Sequence, residues 1–419
     1  MSSGSAGARR SGGLFGWLDR RLPIRAFLDS QLTGYYAPKN LNVWYYFGVL
    51  ALLLLAAQIA TGLSLAMHYK PGEATAFDSV EYIMREVPWG WLIRYAHSTG
   101  ASLFFVVVYL HMFRALLYGS YRAPRELLWV LGVLTYLALM AEAFMGYVLP
   151  WGNMSFWGAQ VIVNLFGTVP LVGPELVEWI RGDYAIADAI LGRFFALHVI
   201  AVPLVLLLLV GLHLLALRTA GSNNPDGIEI KERRDAQGRP LDGIPFHPYH
   251  TLKDLFSVAV FLVIFAAVVF FAPAFGGLFL EPANFEPADP LSTPPHIAPA
   301  WYFAPYYAIL RAVPDQRLGA LAMLLAIVSF LFLPWLDRSR VRSIRYKGRL
   351  ARAALAAFAI SFIGLGFAGL QPPGPVQLCL ARVFSLIWFA WFWLMPIHSK
   401  LDRTKHVPAR VRHRRAAGV

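Results

Sequence analysis

Eight long apolar stretches constrain this chain more than any other feature of its sequence. They fall at about 44–67, 91–117, 127–149, 194–217, 255–271, 318–336, 351–370 and 378–395. A bilayer core takes roughly 20 apolar residues in helical form. Backbone N–H and C=O groups find no water in lipid, so each stretch is expected to be a helix. The fold class that follows is an all-α membrane protein with eight transmembrane helices. Charged residues make up only 15% of the 419 residues, against about 25% in a soluble domain. The net charge of +13 does not point to nucleic acid, because the basic residues lie between apolar runs and not along one polar face. The single cysteine, Cys379, lies in the last run, which excludes an internal disulfide and a cysteine-held metal cluster. The first 40 residues show no short apolar region followed by a cleavage site, so no signal peptide is expected.

Lysine and arginine between the stretches set the orientation. Arg9, Arg10, Arg20, Arg21, Arg25 and Lys39 precede the first stretch, and Arg338, Arg340, Arg342, Arg345, Lys347 and Arg349 separate the sixth from the seventh. Lys400, Arg403, Lys405, Arg410, Arg412, Arg414 and Arg415 follow the eighth. The loops after the first, third and fifth stretches are acidic. An even count puts both basic termini on one side, expected to be cytoplasmic. The expected organisation is a cytoplasmic segment over 1–43, a four-helix bundle over 44–220, a cytoplasmic connection over 221–254, four more helices over 255–396 with a Pro-rich acidic loop at 272–317, and a basic tail over 397–419. The loop at 150–193 is rich in Gly, Pro and Trp and suits short helices lying on the membrane surface.

Ionisable residues within membrane helices are rare and mark function by default. The second stretch holds His97 and His111, 14 residues apart, and the fourth holds His198 and His213, 15 apart. Four helical turns take about 14.4 residues, so each pair lies on one face about 21–22 Å apart. The two stretches run in the same direction, which matches His97 with His198 in depth near the outer side and His111 with His213 near the inner side. Neutral imidazole is a good metal ligand. Two cross-helix pairs at two depths are what two bis-histidine heme irons need. Four unrelated polar residues joining helices are the bland alternative. Glycine supports the heme reading: Gly48 and Gly62 on the first stretch, and Gly132 and Gly146 on the third, repeat the 14-residue spacing. Each could let a porphyrin edge lie against a helix. Arg94 and Arg114 flank the ligands and are placed to pair with heme propionates, with Arg193 and Ser120 as weaker candidates.

These residues sit in strings that resemble cytochrome b of the cytochrome bc complexes. The strings are RYAHSTGASLFFVVVYLHMFRALLYGSY at 94–121, AFMGYVLPWGNMSFWG at 143–158, RFFALH at 193–198, GSNNPD at 221–226, IPFHPYHTLKD at 244–254 and PPHIAPAWY at 294–302. The resemblance covers nearly the whole chain. It implies a diheme four-helix bundle, with a low-potential heme at His97 and His198 and a high-potential heme at His111 and His213, both of non-covalent b type. It also implies ubiquinol oxidation at an outer site, ubiquinone reduction at an inner site, and proton-motive force from the pair. Expected partners are a Rieske iron–sulfur protein, cytochrome c1 and a second copy of the complex, in a bacterial inner membrane.

Three departures from the family pattern stand out. Where many relatives carry Pro-Glu-Trp-Tyr, this chain reads Pro299, Ala300, Trp301, Tyr302. Glu142 is the one carboxylate within the eight stretches, and it is expected to take over proton exit. Phe144, Tyr147, Trp157, Pro299, Trp301 and Tyr302 are the expected walls. At the inner site Arg218 stands where relatives often have histidine, while Asp254 is kept, beside Lys253. Arginine cannot act as an acid at neutral pH, so Asp254 and Lys253 are expected to carry proton uptake, with Trp44 and Ser222 as weaker candidates. The 15-residue histidine spacing on the fourth stretch is the third departure, and a kink at Pro203 could absorb the extra residue. The other histidines are expected at surfaces or interfaces, with His247 the best placed to border the inner site. A transporter would predict interrupted helices and inverted repeats, which are not found, and a heme-free structural subunit would not explain the matched spacings. A diheme quinone oxidoreductase of another family would lack the Pro-Ala-Trp-Tyr loop and the last four stretches.

Overall fold

A computed structural model of the chain describes residues 14–411. Arg9, Arg10, Arg412, His413, Arg414 and Arg415 lie outside the described residues. Eight helices are long and apolar enough to cross a membrane: α1 (Val43–Ala66), α2 (Gly90–Tyr118), α3 (Glu126–Val148), α4 (Asp188–Ala220), α5 (Phe246–Phe271), α6 (Gln316–Leu336), α7 (Arg349–Leu370) and α8 (Pro375–Trp393). They coincide with the eight apolar stretches to within a few residues, except that α4 and α5 start several residues earlier. Many of the outward side chains are large and apolar. Leu204, Leu208 and Leu215 on α4 and Phe256, Val263 and Phe271 on α5 are all more than half exposed. In water such faces would be a liability; against lipid they are the expected surface.

In the first half α1 lies along α2, and α3 along α4. In the second half α7 lies along α8, and a short helix, Ala304–Ala312, is wedged among α6, α7 and α8. The halves meet where α5 packs on α1 and α2 and where α6 packs on α3. Short helices at Ala76–Arg85, Asn153–Phe166 and Gly173–Arg181 fill the outer loops, as expected for 150–193. A small two-stranded sheet, unsignalled by any apolar alternation, pairs β1 (Tyr36–Pro38) antiparallel with β2 (Gly243–Pro245).

The extra residue on α4 is taken up by a π turn over Leu197–Ala201, just ahead of Pro203. A π turn holds one residue more than an α turn. Proline has no N–H to give the ladder, which is already open at that point. The extra residue is thus absorbed in a wider turn just ahead of Pro203, and that turn contains His198.

Charges on the basic side of the molecule join the two halves. Buried Arg125 grips Glu229 through both terminal nitrogens, at 2.5 and 2.9 Å, and Arg342 reaches the same carboxylate at 2.6 Å. Asp226 accepts from Asn40, Arg345 and Tyr346, tying the start of α1 to the loop before α7. Asp337 accepts from Tyr121 and Lys347. Removing one partner of such a pair leaves the other charge buried, at a cost of about 3–5 kcal/mol. Glu229→Ala is therefore expected to lower the thermal unfolding midpoint of the detergent-solubilised protein sharply. An unchanged midpoint would mean that this cluster does not join the halves.

Candidate functional site

Two histidine pairs form between α2 and α4. The rings of His97 and His198 have centroids 6.2 Å apart at 88°, and those of His111 and His213 are 6.4 Å apart at 57°. A metal–imidazole bond of about 2 Å, plus about 1.1 Å from nitrogen to ring centre, separates two trans rings by roughly 6 Å. Both pairs have that separation. At the outer pair the Nδ1 atoms are engaged. His97 Nδ1 lies 2.9 Å from Thr61 Oγ1, and His198 Nδ1 lies 2.9 Å from the Glu142 carbonyl and 3.0 Å from Glu142 Oε1. Such contacts fix a ring and leave Nε2 for a metal.

Each glycine faces one histidine. A Cβ on Gly48 would come 3.3 Å from His111 Cε1, on Gly62 3.1 Å from His97 Cε1, and on Gly132 3.1 Å from His213 Cε1; on Gly146 it would clash outright with His198. The missing side chains keep a slot open beside each imidazole. Paired imidazoles with a glycine facing each are a donor set that suits a flat ring ligated by two histidines.

The flanking polar residues divide. Arg114 reaches to 3.3 Å from His111 Nδ1 and 3.4 Å from Ser120 Oγ, and its Nε has no partner. Ser120 is itself buried and accepts from Asn223. Arg94 lines the cavity beside the outer pair. Arg193 is exposed and turned away, donating to the Trp179 carbonyl at the end of the Gly173–Arg181 helix.

One cavity runs from the outer histidine pair toward the outer loops. His97, His198, Glu142, Tyr147, Phe279, Leu280, Asn284, Ala300 and Tyr302 line it. Glu142 is therefore in the expected region, with one oxygen on His198 and the other, Oε2, without a partner. Phe144, Trp157, Pro299 and Trp301 are not among the residues that line the cavity. Phe144 packs on Phe194, Trp157 donates to the Asp289 carbonyl at 3.2 Å, and Trp301 donates to Ser102 Oγ at 3.3 Å. Tyr302 is locked from two sides: its ring stacks on Phe105 at 3.9 Å, and its carbonyl accepts from Tyr109 at 2.6 Å.

The loop at 272–317 is docked on the helix that follows α3. Trp151 turns that corner with φ of +55°, a left-handed conformation unusual for a bulky residue. Asn153 N donates to the Glu286 carbonyl at 3.0 Å, Ala288 N to the Trp151 carbonyl at 3.0 Å, and Ser155 N to Asn284 Oδ1 at 2.7 Å. This docking brings in Glu281, which sequence reasoning missed. Tyr147 donates to its Oε2 at 3.2 Å, and Asn284 Nδ2 donates to the same oxygen at 3.2 Å and to the Tyr147 hydroxyl at 3.0 Å. Burial pushes the Glu281 carboxyl up to about 7.

On the inner side the guanidinium of Arg218 lies over the Tyr35 ring at 4.2 Å and the Phe246 ring at 5.4 Å. Ser222 Oγ lies 3.1 Å from the Tyr35 hydroxyl. The β1–β2 pairing holds the segments that carry these two rings. Trp44 packs on Phe47 and Phe113. Lys253 and Asp254 stand in the first turns of α5, the latter within electrostatic reach of Tyr46. His250, expected at a surface or interface, is 3% exposed, stacks on Phe246 and has no partner for Nε2.

Residues 32–221 match the cytochrome b/b6/petB family, and residues 287–389 match the cytochrome b (C-terminal)/b6/petD family. The cytochrome b of Allochromatium vinosum is 58% identical over 403 residues, 94% of this chain and 97% of that protein. The cytochrome b of Rickettsia prowazekii is 46% identical over 401 residues, 96% of this chain and 98% of that protein. A chain of the solved structure "Hyperthermophilic respiratory Complex III" superposes with a TM-score of 0.86 at 41% identity, over 93% of this chain and 99% of its own. With both halves matched and the histidine pairs formed, the chain belongs to the cytochrome b family.

Proposed function

We propose that the chain is the diheme subunit of a bacterial ubiquinol–cytochrome c oxidoreductase, oxidising ubiquinol at the outer site and reducing ubiquinone at the inner one. The observation that carries this reading is the pair of histidine couples, 6.2 and 6.4 Å between ring centres, each ring faced by a glycine. Two b-type hemes, held non-covalently by His97 with His198 and by His111 with His213, would supply one-electron transfer between the faces of the bilayer. Arg94 on the outer side, and Arg114 with Ser120 on the inner side, offer donors for propionates. With Arg193 held at Trp179, the outer propionate role falls to Arg94.

Quinol would enter the outer cavity between Tyr147 and Tyr302, whose wall is continuous with the outer histidine pair. One electron would leave to a Rieske iron–sulfur protein and cytochrome c1, the other toward the inner side. There Arg218 and Ser222 would orient the quinone, with Trp44 close by, and Asp254 with Lys253 would deliver protons. The excess of Lys and Arg on the Arg125–Arg345 face supports a cytoplasmic location for that face and for both termini, in the inner membrane. Membership of a homodimeric complex accompanies this reading.

A reduced-minus-oxidised spectrum with pyridine hemochrome is expected to give two b hemes per chain. Gly146→Leu, which would fill the slot beside His198, is expected to bring this to one; two hemes retained would overturn the glycine reading. Glu142 accepts from His198 Nδ1, which makes the imidazole a stronger donor to iron and favours the oxidised state. Glu142→Gln is expected to raise the midpoint potential of the outer heme and leave the inner one in place, as potentiometric titration would read. Asp254→Asn is expected to slow quinone reduction at the inner site several-fold while the outer site keeps its rate. Equal rates at the inner site in both proteins would remove Asp254 from proton uptake.

A further inference from the structure

Quinol oxidation releases two protons, and the Pro299–Tyr302 segment has alanine where a carboxylate would be expected to receive one. Glu142 lines the cavity with one oxygen, Oε1, on His198 and the other without a partner. The cavity has a second polar exit. Tyr147 and Asn284 stand in its wall, and behind them both side chains bond the same oxygen of Glu281.

Resting on the outer-site reading above, we infer that Glu281 receives the quinol proton through the Tyr147 hydroxyl and passes it to the outer face. In this step a quinol O–H bond breaks and its proton goes to the Tyr147 oxygen. The Tyr147 proton moves along the existing hydrogen bond to Glu281 Oε2. The electron leaves to the iron–sulfur acceptor. Asn284 is the positioning residue. Its Oδ1 is pinned by Ser155 N at 2.7 Å, and its Nδ2 aims both other members of the chain.

The surroundings suit an acceptor of this kind. Tyr147 and Tyr302 are the ionisable side chains that act on Glu281, and both are neutral at physiological pH. Among the described residues no Lys, Arg or His acts on it, so no cation holds it permanently charged. Burial instead brings its titration to about pH 7, where a carboxylate can both take and release a proton. The sign follows directly: below that pH the acceptor is already protonated, so the rate rises as pH rises through it. Glu286, in the same loop, is exposed and contributes only its carbonyl to the docking.

The test uses the whole complex with a short-chain ubiquinol and cytochrome c over pH 5.5–9. Glu281→Gln is expected to cut turnover by about 10- to 100-fold, to leave KM for quinol nearly unchanged, and to erase the inflection near pH 7. Glu281→Asp is expected to recover part of the rate with a displaced inflection, and Glu286→Gln to behave as the parent. Tyr147→Phe is expected to reproduce the loss with Glu281 intact, and the double variant to be no slower than either single one. A Glu281→Gln complex with two hemes that keeps its rate and its inflection overturns the inference. If that variant loses heme, the infrared difference spectrum of the parent on quinol oxidation decides: a carboxyl band displaced in Glu281→Asp supports the inference, and an undisplaced one overturns it. A parent complex that does not oxidise quinol at all sinks the outer-site reading itself, which is a separate failure.

Discussion

On the function proposed above, a metal is held between two imidazoles at two depths along one helix pair, and each such bond fixes the two helices to within a fraction of an ångström. α2 meets this demand with a regular run of 14 residues between His97 and His111. α4 has one residue more and must lose it before His213. The π turn at Leu197–Ala201 does so beside Pro203, where the hydrogen-bond ladder is already open. α1 and α3 answer the same spacing with glycines, because any Cβ facing an imidazole would close the slot. The register of four helices is thus set by two ring separations.

The two faces are joined by different means. On the basic face the connectors are buried carboxylates with cations. Burial alone would raise the Asp337 carboxyl, yet Lys347 and Arg122 hold it below its usual range. On the outer face the connectors are backbone and amide hydrogen bonds between 151–155 and 284–289, with no ion pair among them. Lipid headgroups explain part of the contrast, since Lys and Arg gather on one side. Chemistry explains the rest. On the inference drawn above, a loop that leaves Glu281 free to titrate would not be fastened with arginine beside it.

Much of this was legible in the sequence because lipid simplifies the code. Eight apolar runs became eight helices among the described residues, and the matched spacings brought four histidines and four glycines face to face. The signal failed where the constraint is tertiary. Glu281 sits in a Pro-rich loop, where a carboxylate looks like any solvated charge; only the docking of Asn284 on Ser155 turns it toward Tyr147. Glu142, the one carboxylate within the eight apolar stretches, was legible and lines the cavity, with one oxygen on His198 and the other without a partner. Arg193 was placed by its nearness in sequence to His198, but the exposed end of α4 directs it to Trp179. His250 looked like an interfacial residue, and the β1–β2 pairing that accompanies its burial has only three residues per strand, too short for alternation to register.

The two proposed quinone sites would need opposite electrostatics, and the side chains divide accordingly. Oxidising neutral quinol leaves protons to be removed, so the outer site wants a base that is not already neutralised by a cation. Glu281 has tyrosines and an amide around it and no positive partner. Reducing quinone builds negative charge on its oxygens before protons arrive, so the inner site wants cations already in place. Arg218 is held ready by two aromatic faces rather than by a carboxylate, which leaves its donors free for a carbonyl. Lys253 and Asp254 follow within the first turns of α5. On the function proposed above, arginine at 218 would separate two tasks that one imidazole could combine: Arg218 would stabilise charge, and Asp254 would deliver protons.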